Sequence, residues 1–420
     1  MAGLTSIVAD GAAAPSAPGG RSRFGALAQR DFRLLWLGML VSQTGSWMQL
    51  VTTNWLLWEL TQSPLMVGLN GLFRSLPFIA MSLYAGALAD RLDRRRLLMA
   101  ANAVNMVFPL GLGVVAALGL LAPWHLYLVA ALSATVDSFD SPARQALIPA
   151  LVPRAQLLSA LGLMSSVRRA TSLIGPALGG LLLASVGADG SFFLNGLSFG
   201  AVVLAAALMR TRLPAPPTTV PAIKMVREGL AYVGHHPLLG TMMGVEALVT
   251  LSTSYQAIVT VFAESILDVG PTGLGLLLSA PGVGAIAAAT LMVLRGDRAA
   301  NGRVLLVSGG LFGLSLVAFA ASRSFGVSLL VLGVVGFLDT AYGTVRTTIV
   351  QLAAEERLRG RVMSLNSLTN RGLGPSGNFL SGALASAIGA PWALAGLALL
   401  STVLVVGRGL AIPALRDFGD

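Results

Sequence analysis

Cysteine is absent from this 420-residue chain, and histidine occurs only at positions 125, 235 and 236. Without cysteine there is no structural disulfide, no thiolate metal ligand and no thiol nucleophile. No helix pairs histidine and glutamate at metal-binding spacing, and no glycine-rich loop ends in a phosphate-cradling lysine. Metalloenzyme, hydrolase and ATPase chemistries are therefore not expected, and the chain reads as neither an enzyme nor the holder of a cofactor. Charge is scarce too, at 11% of residues against 55% hydrophobic, and the apolar residues come in long blocks. That is the composition of a polytopic, all-α membrane protein in contact with a lipid bilayer. The net charge of +10 comes from Lys and Arg scattered in short loops, with no basic face, so no nucleic-acid partner is expected.

A bilayer core of about 30 Å needs roughly 20 helical residues. Dividing the chain at its Pro, Gly and charge clusters predicts twelve spans near 33–57, 65–89, 97–119, 124–149, 158–184, 191–210, 237–262, 271–294, 303–322, 326–352, 362–388 and 391–411. The basic residues fall on one side. Loops holding Arg21, Arg91, Arg94, Arg95, Arg96, Arg154, Arg210, Arg295, Arg359 and Arg408 alternate with loops that hold Arg323 alone. By the positive-inside rule both termini are expected on the cytoplasmic side. Residues 1–28 read as a disordered tail rather than a signal peptide, 29–211 as one six-helix half, 237–412 as the other, and 413–420 as a second cytoplasmic tail. Between the halves, 212–236 opens as "RLPAPPTTVP" and turns amphipathic through "AIKMVREGLAYVGHH", a linker lying on the membrane surface. His235 and His236 close it as interfacial residues at a helix start.

The halves are copies. At an offset of 202, Asp137 falls on Asp339, Arg144 on Arg346, Ser165 on Ser367, Arg169 on Arg371, Gly175 on Gly377 and Gly180 on Gly382. Parallel six-helix repeats place a substrate path between the halves at mid-membrane. The two-half architecture, "GALADRLDRRR" after the second span and "GPALGG" in the fifth together resemble the major facilitator superfamily across the chain after its tail. "SPARQALIPALVPRAQLLSALGL" and "YVGHHPLLG" resemble its branch of bacterial enterobactin exporters and transmembrane secretion effectors. The resemblance implies transport by alternating access, with spans 1, 4, 7 and 10 lining the cavity.

Several residues carry that expectation. Gly86, Asp90, Arg91 and Arg95 match the superfamily's gating signature, with Asp93 where a glycine is usual; positive-inside topology alone also explains the arginines. In the fourth span Asp137 and Arg144 share a face about 10 Å apart, with Asp140 one turn from Arg144 as a possible partner. Asp339 and Arg346 repeat the pattern in the tenth. Charges at mid-membrane cost about 2.5–3.5 kcal/mol each on insertion scales, so Asp140, Arg144 and Arg346 form either a gate network or part of the transport path.

Glu246 is the only ionisable residue of the seventh span. A carboxylate held out of water can load and release protons near neutrality, which makes Glu246 the first coupling candidate, followed by Asp137 and Asp339. The alternative for Glu246 is a fixed counter-ion to a buried arginine. Gln43, Gln49 and Asn54 in the first span, Tyr255 and Gln256 in the seventh, and Arg74 beside Pro77 in the second are expected in the cavity. Arg169 and Arg371 are expected there or between the halves, and Arg168 is expected to reach back towards the cytoplasm. Six arginines face four acids within the spans, a surplus that favours an anionic or neutral substrate.

Gly162, Gly175, Pro176, Gly179 and Gly180 match the spacing of the superfamily's exporter-associated motif, with Thr171 in place of one glycine. Their small size suits close contact with a helix of the other half. The resulting expectation is a monomeric, proton-coupled exporter of a small metabolite, siderophore or drug, driven by the proton gradient. An importer or facilitator on the same fold, and a non-transporting scaffold or sensor, are the alternatives.

Overall fold

The computed structural model describes residues 25–89, 92–211, 228, 231–295, 301–356 and 358–411. Among them every regular element is helical, and no strand occurs. That is what hydrocarbon demands, because a helix satisfies its backbone groups internally. The first half holds α1 (Arg30–Thr61), α2 (Pro64–Ala89), α3 (Arg94–Ala117) and α4 (Pro123–Leu147). A single helical run, Leu157–Leu208, follows. At 52 residues it would be about 78 Å long, more than twice a bilayer core. It turns back at Gly187, whose φ of 77° and ψ of −177° lie where a side chain is strained, and so divides into α5 (157–186) and α6 (188–208).

The second half is α7 (Pro237–Ser252), α8 (Gln256–Val261), α9 (Gly270–Arg295), α10 (Gly302–Ala321), α11 (Phe325–Ala353), α12 (Arg359–Leu368), α13 (Gly374–Ile388) and α14 (Ala390–Ala411). Two predicted spans are broken. The seventh opens at Thr253–Tyr255, between α7 and α8, where Thr253 and Ser254 hydroxyls donate to the carbonyls of Val249 and Thr250. The eleventh relaxes into a π turn, Thr369–Leu373, between α12 and α13, where Gly372, Gly374 and Pro375 weaken the ordinary ladder.

Eight helical runs among the described residues are long and apolar enough to cross a bilayer, one of them the double-length 154–208 segment. The α1, α4 and α12–α13 stretches are not among these. Each carries the polar and charged residues that face the interior cavity described below.

One apolar core joins the two halves at one end. It contains Leu57, Trp58, Val67 and Phe192 from the first half with Ile258, Phe262, Leu274 and Ala385 from the second. At the other, arginine-rich end the cores are separate. One is built on Phe32, Leu98, Leu147 and Val202, the other on Leu239, Val345, Ile349 and Val362.

Two seams follow the same pattern. A Cβ at Gly180 of α5 would lie 3.0 Å from the Gly275 Cα of α9, and one at Gly382 of α13 would lie 3.0 Å from the Gly68 Cα of α2. Hydrogen bonds from Ala177 N to Ser279 Oγ (2.9 Å) and from Leu65 N to Ser386 Oγ (2.9 Å) knit these seams. The exporter-type motif divides between two faces. Gly175 and Gly179 pack on Trp47 and Met48 of α1, in their own half, and only Pro176 and Gly180 touch the other half. Gly162, at the arginine-rich end, meets nothing.

Asp31 ties the start of α1 to the chain leaving α6. Its Oδ2 accepts from the amides of Arg210 and Thr211 (both 2.9 Å) and from the Thr211 hydroxyl (2.6 Å). Partial burial works to raise this carboxyl, but the Thr211 and Arg210 donors, with Arg30 beside it, hold it below its ordinary value. A group depressed in the folded state contributes stability above the ordinary carboxylate range and loses it as pH falls through the lowered value. Asp31→Ala is therefore expected to lower stability by roughly 1.5–3 kcal/mol near neutrality and to have little effect at strongly acid pH, as read from detergent-phase thermal melts across pH.

The seams generate a second expectation. Gly180→Val and Gly382→Val each destabilise by about 1–3 kcal/mol through overpacking. Gly162→Val stays within about 0.5 kcal/mol of wild type in the same melts.

Candidate functional site: a charged cavity between the halves

Three confluent cavities occupy the space between the halves, with volumes of about 550, 730 and 460 Å³. The first is central. It is walled by Gln43, Trp47, Asn54 and Arg74 on one side and by Tyr255, Gln256 and Asp339 on the other. The second extends into the C-terminal half past Glu246, Tyr342 and Arg346. The third extends into the N-terminal half past Asp137, Asp140 and Arg144. Asn370 lines all three. Both helix breaks border this space, so the irregular backbone sits where polar neighbours satisfy it. The Ser254 hydroxyl donates to the Gly374 carbonyl (2.7 Å), joining one break to the other.

The two charge clusters are repeats with different wiring. In the N-terminal half Arg144 pairs with Asp140, one turn away on α4, at 3.3 Å. Asn102 of α3 donates to Asp140 (2.8 Å), and Asn105 donates to Asp137 (2.9 Å). In the C-terminal half Arg346 of α11 pairs with Glu246 of α7, both almost fully buried. Tyr342 OH (3.3 Å) and Thr250 Oγ1 (3.2 Å) also donate to the Glu246 carboxylate. The Tyr342 ring lies 5.9 Å from the Arg346 guanidinium carbon, in cation–π range. At the offset of 202, Tyr342 stands where Asp140 would, so the arginine takes its acid from a neighbouring helix. Asp339 is exposed to the cavity and makes no hydrogen bond or ion pair among the described residues.

Arg169 of α5 donates across one seam to the Ala285 carbonyl (3.2 Å), and Arg371 donates across the cavity to Ser141 Oγ of α4 (2.7 Å). Arg168, expected to reach back towards the cytoplasm, lines both lateral cavities. Gln49 lines none of these three. It accepts from Asn195 of α6 and borders a smaller adjoining void of about 70 Å³, which shares Arg74 and Asp137 with them. Arg95 caps α6 through the carbonyls of Ala206 (2.6 Å) and Ala207 (2.8 Å). Asp93, the departure from the gating signature, N-caps α3 by accepting from the amides of Arg95 (2.9 Å) and Arg96 (3.1 Å). Asp90 and Arg91 lie outside the described residues, and Gly86 is described only as part of α2. His125 and His236 stand at the starts of α4 and α7, the latter accepting from Leu239 N (3.3 Å). No group of three or more metal-ligating side chains occurs among the described residues.

Asn102, Asn105, Arg168, Asn370 and Tyr342 were not singled out from sequence as site residues. A signal for two of them existed: "ANAVNMV" puts two asparagines three apart on one face of an apolar helix.

Known proteins resemble this chain along nearly all of its length. The multidrug efflux pump Tap of Mycolicibacterium fortuitum is 25% identical over 91% of this chain and 96% of its own length. Macrolide efflux protein A of Streptococcus pyogenes is 24% identical over 92% and 96%. In fold, a bacterial homolog of the human lysosomal transporter Spinster, solved inward-facing and unoccupied, superposes with a TM-score of 0.67 at 15% identity, covering 95% of this chain and 97% of that one. A POT family transporter in complex with a thioalcohol-conjugated peptide gives 0.72 at 12% identity, covering 92% and 97%. Residues 21–417 match the family described as transmembrane secretion effector. The chain therefore belongs to the transmembrane secretion effector family of the major facilitator superfamily, and is a multi-pass membrane transporter rather than an enzyme.

Proposed function

We propose that the chain is a proton-driven exporter of a small anionic or neutral metabolite, siderophore or drug, working as a monomer of twelve membrane-spanning helices by alternating access. Both termini are cytoplasmic in this reading, the membrane is the bacterial plasma membrane, and the proton gradient takes the place of a cofactor. The observation that carries it is the unequal closure of the halves. One apolar core spans both halves at one end, two separate cores stand at the arginine-rich end, and a charged cavity lies between them. That is the shape of one limiting state of a rocking transporter, open to the cytoplasm. The efflux roles named for Tap and macrolide efflux protein A favour export over import.

We assign the coupling proton to Asp339, with Asp137 as its counterpart in the other half. Glu246, first in line on sequence, takes the counter-ion role, because it is engaged by Arg346, Tyr342 and Thr250. A proton carrier has to exchange with water, and Asp339 faces the cavity with no partner among the described residues.

Two measurements separate these assignments. In inside-out vesicles an imposed acidic interior drives dye or metabolite uptake by the wild type, and Asp339→Asn reduces it to the level of empty vesicles. Uptake that persists in Asp339→Asn, or that never responds to the gradient, contradicts the coupling assignment and favours a facilitator. Glu246→Gln leaves Arg346 buried without its acid, and its melting is expected to show a loss of about 3–5 kcal/mol. Asp339→Asn melts like the wild type.

A further inference from the structure

The cavity in the N-terminal half has an imbalance of charge. Its 460 Å³ are lined by Arg74, Arg144, Arg168 and Arg371 against Asp137 and Asp140. Arg144 and Asp140 neutralise each other. That leaves three guanidinium groups facing one carboxylate, and Asp137 already accepts from Asn105. Arg371 spends one nitrogen on Ser141, Arg74 has the charge of Asp137 nearby but no hydrogen bond or close ion pair among the described residues, and Arg168 has only other arginines as charged neighbours. Converging cations in a membrane interior repel one another and lose hydration, a state relieved by an anion that several of them share. Guanidinium forks match the paired oxygens of a carboxylate or phosphate. Trp47 and Phe78 on the same wall offer apolar surface to the remainder of such a molecule.

We infer that Arg74, Arg168 and Arg371 form an oxyanion subsite, which binds the carboxylate or phosphate group of a small-molecule substrate. The inference rests on reading the chain as a transporter and names where the negative charge of its cargo is held. Arg168 is the most telling member. It lies on the border of both lateral cavities, so an anion bound there is reached from either half.

The test uses the full-length protein in phosphatidylcholine nanodiscs, where no anionic headgroup competes. Carboxyfluorescein and the methyl ester of rhodamine B, xanthene dyes of opposite charge, are titrated by fluorescence polarisation, with inorganic phosphate as competitor. The anionic dye is expected to bind, phosphate to displace it, and the cationic dye to bind more weakly. Arg168→Gln and Arg371→Gln each weaken the anion by about 10- to 100-fold, the loss of one or two charge-assisted hydrogen bonds. Arg168→Lys recovers part of the affinity, and Arg323→Gln, in a loop, leaves it unchanged. Should Arg371→Gln misfold, Arg168→Gln decides, since that side chain holds nothing in place. Equal binding of the two dyes, no anion binding, or wild-type anion affinity in Arg168→Gln overturns the subsite. Dye flux in proteoliposomes is scored separately: intact anion binding without gradient-driven flux refutes the exporter reading and leaves the subsite standing.

Discussion

A charge inside a bilayer has to be paired, hydrogen-bonded or wetted, and the architecture of this chain follows from that requirement. Apolar blocks build the outside of the bundle, and the charged residues within the spans turn inward to a shared cavity. There each acid finds one of the three solutions. Arg346 and Glu246 are paired and dry, Arg144 and Asp140 are paired at the cavity edge, and Asp339 is left to water. The same requirement governs the backbone. The unwound turn after α7 and the π turn before α13 occur only where serine and threonine hydroxyls, or the opposite break, take up the freed groups.

Repeat symmetry makes the departures from it informative. Asp137 and Asp339 occupy equivalent places, as do Arg144 and Arg346, but the acid serving the arginine comes from the same helix in one half and from a neighbouring helix in the other. A pair within one helix moves with it as a unit. A pair between α7 and α11 ties two cavity-lining helices together and leaves Glu246 almost fully buried. The carboxylate of the C-terminal half left facing the cavity is Asp339. Arg371 departs similarly. Its mate Arg169 stays on its seam with α9, whereas Arg371 crosses the cavity to α4.

Much of this was legible in the sequence because the signals are local. Apolar block length sets the helices, the gap between the predicted spans 158–184 and 191–210 brackets the elbow, and the offset of 202 pairs a handful of polar residues between the halves. Asp140 as partner of Arg144 follows from one helical turn. The partner of Glu246 does not, since Arg346 lies a hundred residues away and arginines in five spans compete for it. The breaks near 253 and 372 were missed because hydropathy averages over them, and a Ser/Thr pair bends a helix only when a tertiary acceptor is in place. Gly175, Gly179 and Gly180 look alike in a spacing motif, yet a 100° step per residue sends the first two to α1 and the third to α9.

Gly162 is the remaining glycine of that motif, and under the alternating access proposed above its idleness here fits a role in the other state. Along the α5–α9 seam, each step back along α5 is matched by a step forward along α9: Gly180 with Gly275, Ala177 with Ser279, Leu173 with Gly282, Arg169 with Ala285. Continuing that register brings Gly162 opposite Val293, with Leu158 beyond it. In this structure a Cβ at Gly162 meets nothing within 4 Å, and Val293 and Leu158 are 81% and 83% exposed. Closing the arginine-rich end would bury these side chains, offsetting apolar contacts given up where the joined core opens. A glycine at 162 lets the helices meet at the same spacing as Gly180 allows at the opposite end. In the rocking motion proposed above, the two ends of α5 are small for the same reason, each serving a different state.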